Sequence, residues 1–344
     1  MKPYIINDLH IGTQRITGTT MQSQLALREY LLREYGACLN KADDALIVLG
    51  DLFDNHSIPM SDVLAAYDLT ADWLKRTGHK LWLVAGNHDL STNSLKVSSF
   101  QFFAQVLVRT FPEQVSYVEG SCRIGKSLHI ISHVTNQDLF DMELDNVGEA
   151  RYLLLHANYD NNFAKEADHS LNLSAERAAS LKVGTVFFAH EHYGRKAKAG
   201  DVEIFVAGNQ FPSSVSDCLG EKAKYMHRLT ADGIQRIETW NSSDYCEMDW
   251  CHMHPTDARF IRITGSVDPA GAAHMADAIA KYRRGSTAFV VGNAVRVTGK
   301  SEVGGLDLED LETTSLESVR AFDVRAALKS KLDAAEWSVI EGLK

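Results

Sequence analysis

Aspartate, histidine and asparagine recur in five short patches of this chain, and each patch closes an apolar run. The patches are Asp8-Leu9-His10, Gly50-Asp51-Leu52-Phe53-Asp54, Gly86-Asn87-His88-Asp89, His156 and His190-Glu191-His192. Oxygen and imidazole donors suit a hard divalent ion that activates water. No cysteine lies in any patch, which disfavours a structural zinc site. Two ions about 3.5–4 Å apart need a bridging carboxylate. Asp51 is the natural bridge, because it follows the longest central apolar run and Gly50 lets the backbone come close. The implied chemistry is hydrolysis of a phosphate ester, with two ions activating a water and holding the non-bridging oxygens. His88, beside the ligand candidate Asn87, is placed to protonate the leaving alkoxide, a task an imidazole performs near neutral pH. Asp89 would orient an imidazole or cap the helix that follows.

These residues need rigid elements beneath them. The runs Tyr4–Ile6, Ala45–Leu49, Leu81–Ala85, Tyr152–Leu155 and Val186–Ala189 each predict a short buried strand. Metal-binding residue types therefore fall at strand ends, where the loops of an α/β fold meet and build sites. Between the runs, Leu25, Leu31, Leu32 and Tyr35 fit one helix, and Val63, Leu64, Tyr67, Leu69, Trp73 and Leu74 fit another. Such alternation predicts an α/β domain over 1–245.

The 344 residues are 45% hydrophobic and 23% charged, ordinary for a globular protein. No apolar run approaches the roughly 18 residues that cross a bilayer, and the chain enters a strand at once, so neither membrane span nor signal peptide is expected. The scattered Cys38, Cys122, Cys218, Cys246 and Cys251 suit reduced thiols and a cytoplasmic setting.

Net charge is −10, yet it is unevenly spread. Residues 258–300 carry a net +5, and residues 301–344 a net −5. The basic stretch reads as strand Arg259–Thr264, helix Ala270–Arg284 and strand Thr287–Val297 with an irregularity at Gly292-Asn293, a β-α-β unit spanning 256–300. Arg259, Arg262, Arg283 and Arg284 on it, with Arg195 and Lys196 just past the last patch, are candidate phosphate contacts. The plain alternative is a solvated basic face, and Arg283-Arg284 also suit a helix C-terminus. An acidic linker and a capping-box helix, Thr314 to Glu317 and onward, fill 301–344 and either pack on their own protein or bind a partner. Cys246, Cys251, His252 and His254 offer zinc-type ligands, but neighbours on an extended chain point to opposite faces, so hinge or packing roles are expected. His56, His79, His129, His133, His169, His227 and His274 read as surface or supporting residues.

The ordered patches resemble the calcineurin-like metallophosphoesterase superfamily, whose pattern runs Asp-x-His, Gly-Asp-x-x-Asp, Gly-Asn-His-Asp/Glu, a lone His and Gly-His-x-His. The one departure is Ala189 where that family has glycine. The resemblance implies an αββα sandwich with a small C-terminal β-α-β capping domain and a C-terminal helical segment. It implies Asp8, His10, Asp51 and His192 on one metal, Asp51, Asn87, His156 and His190 on the other, and His88 as the catalytic histidine. Asp54 matches the second acidic position and would orient a ligand.

Phe53 to Ser61, and Phe205 to Pro212 followed by Ser216-Asp217, are similar to SbcD-type DNA double-strand-break repair nucleases, in the compact form that bacteriophages encode. That resemblance implies a Mn2+-dependent exonuclease, also able to act as a structure-specific endonuclease, with Mg2+ or another divalent ion as substitute. It further implies DNA and an SbcC-type SMC-like ATPase as partners, and a homodimer. Two rivals stand beside it: a phosphoesterase for a small nucleotide or lipid-linked substrate, and a non-catalytic scaffold, which would have lost ligands that this sequence keeps.

Overall fold

The computed structural model describes residues 2–13, 20–91, 93, 96–161 and 170–298. Strand β1 (Tyr4–Ile6) leads through α1 (Met21–Lys41) to β2 (Leu46–Leu49), then α2 (Met60–Thr77), β3 (Leu81–Val84), α3 (Ser99–Thr110) and β4 (Val115–Val118). Strands β5 (Ser121–Ile124) and β6 (Leu128–Ile131), helix α4 (Gln137–Asp145) and β7 (Ala150–His156) follow. A short pair, β8 (Asn158–Tyr159) and β9 (Asn172–Leu173), precedes α5 (Ala175–Ser180). Next come β10 (Val183–Ala189), β11 (Arg195–Ala199), β12 (Val202–Val206), β13 (Ala223–Thr230) and β14 (Gly233–Asn241).

Among the described residues these strands form two six-stranded sheets, ordered β14-β13-β1-β2-β3-β4 and β11-β12-β10-β7-β6-β5. Each has four parallel strands at its heart: β1 to β4 in the first, and β12, β10, β7 and β6 in the second. Antiparallel strands close one edge of the first sheet, whose other edge is the parallel β4, and both edges of the second.

The layering follows from the two-residue period of a strand. Tyr4, Ile6, Leu46, Val48, Leu81 and Leu83 point out to a core shared with α1, α2 and α3. The residues between them, Ile5, Ile47, Leu49 and Val84, point in and meet Leu154, Phe187, Ala189 and Phe205 of the second sheet. Leu153, Leu155, Val186 and Phe188 point out the far side, onto α4 and α5. Both faces of both sheets are thus buried, which is why the sequence reads as unbroken apolar runs. The result is the expected αββα sandwich. Helix positions differ in detail. Leu25 and Leu64 stand 48% and 58% exposed, while Leu27, Leu31 and Tyr35 of α1 and Val63, Trp73 and Leu74 of α2 take the core.

The remaining elements are β15 (Tyr245–Asp249), β16 (Phe260–Thr264), β17 (Ser266–Val267), α6 (Ala272–Gly285), β18 (Val290–Asn293) and β19 (Arg296–Val297). They form a parallel sheet ordered β15-β16-β18 and the pair β17-β19. Strand β15 is unforeseen, since its Cys246 drew attention as a metal ligand. The break after Asn293 separates β18 from β19 where a single irregular strand was expected. One face of this sheet, with Ile261, Ile263 and Val291, packs on Met275 and Ile279 of α6. The other sets Phe260 and Phe289 against Tyr30 of α1, at 6.0 and 5.1 Å between ring centroids. This second unit is therefore seated on the main sandwich by aromatic packing. The acidic linker, the capping-box helix and His169 lie outside the described residues. Among the described residues no helix is long and apolar enough to cross a membrane.

Candidate metal centre

All five patches sit at the carboxyl ends of parallel strands, on loops that turn sharply. Asp8 (φ 51°), His10 (φ 49°), Asp51 (φ 49°) and His190 (φ 88°) all occupy the left-handed region, which side chains other than glycine rarely adopt. Such strain clusters where surrounding structure holds a functional geometry. Backbone hydrogen bonds hold it here. Leu9 and His10 N–H groups donate to the Asp51 carbonyl at 2.9 and 3.1 Å, locking the first two loops together.

Two glycines clear the space. A Cβ on Gly50 (φ 83°) would collide with the His156 ring, and one on Gly86 would lie 2.5 Å from the Asp51 backbone nitrogen. Gly86→Ala is therefore expected to push Asp51 out of place and to cost about 1–3 kcal/mol of stability. Thermal melting together with Mn2+ titration checks it; wild-type values in both would show that the loop relaxes without effect.

Donor atoms converge in two groups. Asp8, His10 and His192 bring one ligand atom each within 4.8 Å of one another, and so do Asp51, His156 and His190. Tautomers follow from the partners of each ring. His192 Nδ1 faces Asp217 Oδ1 at 2.7 Å and so carries the proton, and His10 Nδ1 lies 3.3 Å from Asp54 Oδ1. Their Nε2 atoms lie 3.0 Å apart. His156 likewise gives its Nδ1 proton to the Leu49 carbonyl at 3.1 Å. Its Nε2 lies 3.1 Å from Asn87 Oδ1 and 3.3 Å from Asp51 Oδ2. Asp8 Oδ1 is buried and has no hydrogen-bond partner among the described residues. Buried carboxylates and imidazoles gathered this closely, with an orphaned Asp8 oxygen among them, are costly without a cation. The donor set therefore fits two divalent ions.

The local field agrees. Burial would lower the His156 imidazole, but the Asp51 carboxylate outweighs it and carries the group up to about 9. Burial would raise Asp51, but His156, then His88 and His10, hold it well below the usual carboxylate range. The pocket is negative and wants positive charge.

Around this centre the supporting residues are specific. Asp8 Oδ2 accepts from the His190 backbone N–H at 3.0 Å and from Asn7 Nδ2 at 2.5 Å. His88 lies beside the second group. Its backbone N–H donates to Asp51 Oδ1 at 3.0 Å, and its Nδ1 donates to the Asp54 carbonyl at 2.7 Å. With Nδ1 so occupied, Nε2 is the atom left for chemistry. His10, Asp54 and His88 also form a close trio; Asp54 joins its two rings through a carboxylate on one side and a carbonyl on the other.

The family model described as calcineurin-like phosphoesterase matches residues 1–194. The chain belongs to this family. A calcineurin-like phosphoesterase is a metal-dependent hydrolase of phosphoester bonds, and the converging Asp and His groups are where such ions could sit. Its sheets are similar to those of several solved structures. A dimetal phosphatase from Danio rerio is 11% identical, with 70% of this chain and 97% of that one covered and a TM-score of 0.43. The phosphopantetheinyl hydrolase of Mycobacterium tuberculosis is 12% identical, covering 69% and 95%, with a TM-score of 0.41. A Thermus thermophilus protein is 12% identical, covering 70% and 99%, with a TM-score of 0.42. No curated protein matches the chain.

Some residues of this calcineurin-like phosphoesterase do other work than the sequence suggested. Asp89 neither orients an imidazole nor caps a helix. Its carboxylate accepts N–H groups of Gly86 at 2.9 Å and Phe53 at 3.0 Å, tying the second and third loops together. Burial and the nearby Asp51 raise its pKa to about 7. Arg195 is not poised for phosphate. It pairs with Glu191 and donates to the Tyr159 carbonyl at 3.0 Å. Arg259 lies over the Tyr30 and Phe289 rings, 3.6 Å from Asp244. Arg283 donates to the Val291 carbonyl at 3.2 and 3.0 Å, and Arg262 pairs with Glu247 at 3.1 Å. Lys196 and Arg284 remain exposed. Cys246 packs beneath α6, while Cys251, His252 and His254 are exposed, and none of the four joins a ligand group among the described residues.

Histidine placement also departs from expectation. His227 is fully buried between Phe187 and Phe205, at 5.3 and 5.1 Å, and burial lowers its pKa to about 3. It is a core aromatic in function. Asn7, Gln210 and Asp217 were missed as supports. Asn7 donates to Asp8, Gln210 Nε2 donates to Asn7 Oδ1 at 3.0 Å, and Asp217 holds His192. The only signal for Asp217 was the Ser216-Asp217 pair after the last patch, and no role was attached to it.

Proposed function

We propose that this phosphoesterase is a DNA nuclease, a Mn2+-dependent phosphodiesterase acting on DNA ends. Asp8, His10, Asp51 and His192 would hold one ion and Asp51, Asn87, His156 and His190 the other. When bound, the ions supply positive charge to the phosphate oxygens and to the attacking water. The chain's own residues do the rest. The Asp51 carboxylate holds the His88 backbone N–H and the Asp54 carbonyl accepts from His88 Nδ1. The ring, when protonated on both nitrogens, can therefore hand its Nε2 proton to the departing sugar oxygen and is left neutral with the proton on Nδ1.

One observation favours a long polyanion over a small substrate. The second unit is built against the rim of the centre. Tyr193, the residue after His192, is 45% exposed, and a Cβ on Gly292 of the second unit would reach Val215, in the loop that carries Asp217. An exposed aromatic ring beside a hydrolytic centre suits a sugar-phosphate chain. Phosphate contact would then fall to Arg284 and Lys196, because Arg195, Arg259, Arg262 and Arg283 are engaged within the protein. An SbcC-type ATPase partner, contacted through 301–344, and a homodimer belong to the same proposal.

End-labelled linear duplex, with and without a hairpin end, incubated with Mn2+ is expected to be shortened. Binding of the duplex should weaken steeply as salt rises. Intact duplex alongside hydrolysis of a small phosphodiester would overturn the nuclease reading and favour a small nucleotide or lipid-linked substrate.

A further inference from the structure

We propose that the second unit fixes the position of His192, acting through Val215 and Asp217, so that Asp217 is a positioning residue for one of the two metal sites. This rests on the two-metal reading above. Asp217 is 2% exposed and bonded on both oxygens. Oδ1 accepts from His192 Nδ1 at 2.7 Å. Oδ2 accepts from the Ser213 and Ser214 backbone N–H groups, each at 2.9 Å, and from Ser213 Oγ at 3.1 Å. The carboxylate thus cannot turn without taking the 213–217 loop with it, and the imidazole follows the carboxylate.

That loop faces β18 on its other side. In the second unit's sheet, Phe260 and Val290 join the core under α1, while Ile261 and Val291 turn to α6. Gly292 therefore shares the face of Val290, toward the main sandwich. A Cβ built on Gly292 would lie 3.4–3.5 Å from three Val215 side-chain atoms. Val215 itself packs on the core that holds Phe211, Tyr30 and Phe260. A second strap runs in parallel, since Tyr193 OH donates to the Ser216 carbonyl at 2.5 Å. The loop is clamped between a metal ligand and a strand of another unit. A Cβ at 292 would just touch Val215, so a side chain larger than alanine there would have to displace the loop.

The test is Mn2+ titration by calorimetry on the full chain, with folding followed by circular dichroism and melting. Wild type should bind two ions. Asp217→Ala and Gly292→Leu should each weaken one site by about 10–100-fold and leave the other at its wild-type affinity. Adding Val215→Ala to Gly292→Leu should make room and restore the weakened site, which a general loss of stability would not do. Two wild-type affinities in a folded Gly292→Leu chain, or loss of both sites together, would overturn the coupling. If Gly292→Leu fails to fold, Val215→Ala alone decides: several-fold weakening of the same site supports the clamp, and no change overturns it. Fewer than two ions on the wild-type chain would instead overturn the two-metal reading on which it rests.

Discussion

Replacing Asp51 with alanine is expected to abolish metal binding and hydrolysis together. Its carboxylate lies 3.3 Å from His156 Nε2 and also accepts from the His88 backbone N–H at 3.0 Å. It belongs with His156 and His190, and in the proposed arrangement it would also serve the other ion, so both sites would lose an oxygen at once. The fold should survive. The bonds that tie the first loops use the Asp51 carbonyl, which alanine keeps, and accept Leu9 and His10 at 2.9 and 3.1 Å. Asp51→Asn tests charge against shape: it keeps the volume and should still lose most affinity, because a neutral amide cannot neutralise two ions. Calorimetric titration with Mn2+ and a phosphodiester assay check both variants. A fully active Asp51→Ala chain would remove the bridge from the mechanism.

His88→Ala is expected to separate binding from chemistry. Two ions should still bind, since the Asn87 and Asp51 oxygens do not depend on the His88 ring. Turnover should fall by roughly 10²–10⁴, the usual worth of a positioned general acid. Within that range the loss should depend on the leaving group. A diester with an acidic phenol leaving group needs little protonation and should be slowed least. A DNA sugar alkoxide needs it most and should be slowed most. Equal slowing of both substrates would show that His88 acts on the ions or the fold rather than on the departing oxygen.

Much of the fold was legible because its strands are buried on both faces. Ile5, Ile47, Leu154 and Phe187 face one core while their neighbours face another, so no polar residue interrupts the runs and their ends are marked sharply by Asp8, Gly50, His156 and His190. The helix faces were less legible. Leu25 and Leu64 carry the right hydrophobicity at nearly the right spacing, yet only the neighbouring layer decides which apolar stripe is covered. Strand β15 escaped because Glu247 and Asp249 interrupt it, although Met248 alternates inward as a strand residue should.

The centre divides in the same way. Its ligand candidates are named by residue type and by order along the chain, and the loops bring them together. The supports are not so named. Asp217 is one of many aspartates, and only the chain's return to His192 gives it meaning. Asp89 sits in the right patch but bonds backbone rather than imidazole. Basic residues are the least legible of all. Arg259 and Arg283 look like phosphate contacts in the sequence, yet one stacks on Tyr30 and the other closes on Val291. Formal charge counts residues; only packing shows which charges are already spoken for.

Electron paramagnetic resonance of the chain titrated with Mn2+ tests the two-ion centre most directly, because ions about 3.5–4 Å apart couple their spins and isolated ions do not. Saturation at two ions per chain, with a coupled spectrum that disappears in Asp51→Ala, is the result this geometry predicts. Saturation at one ion, or two ions with uncoupled spectra, would contradict it.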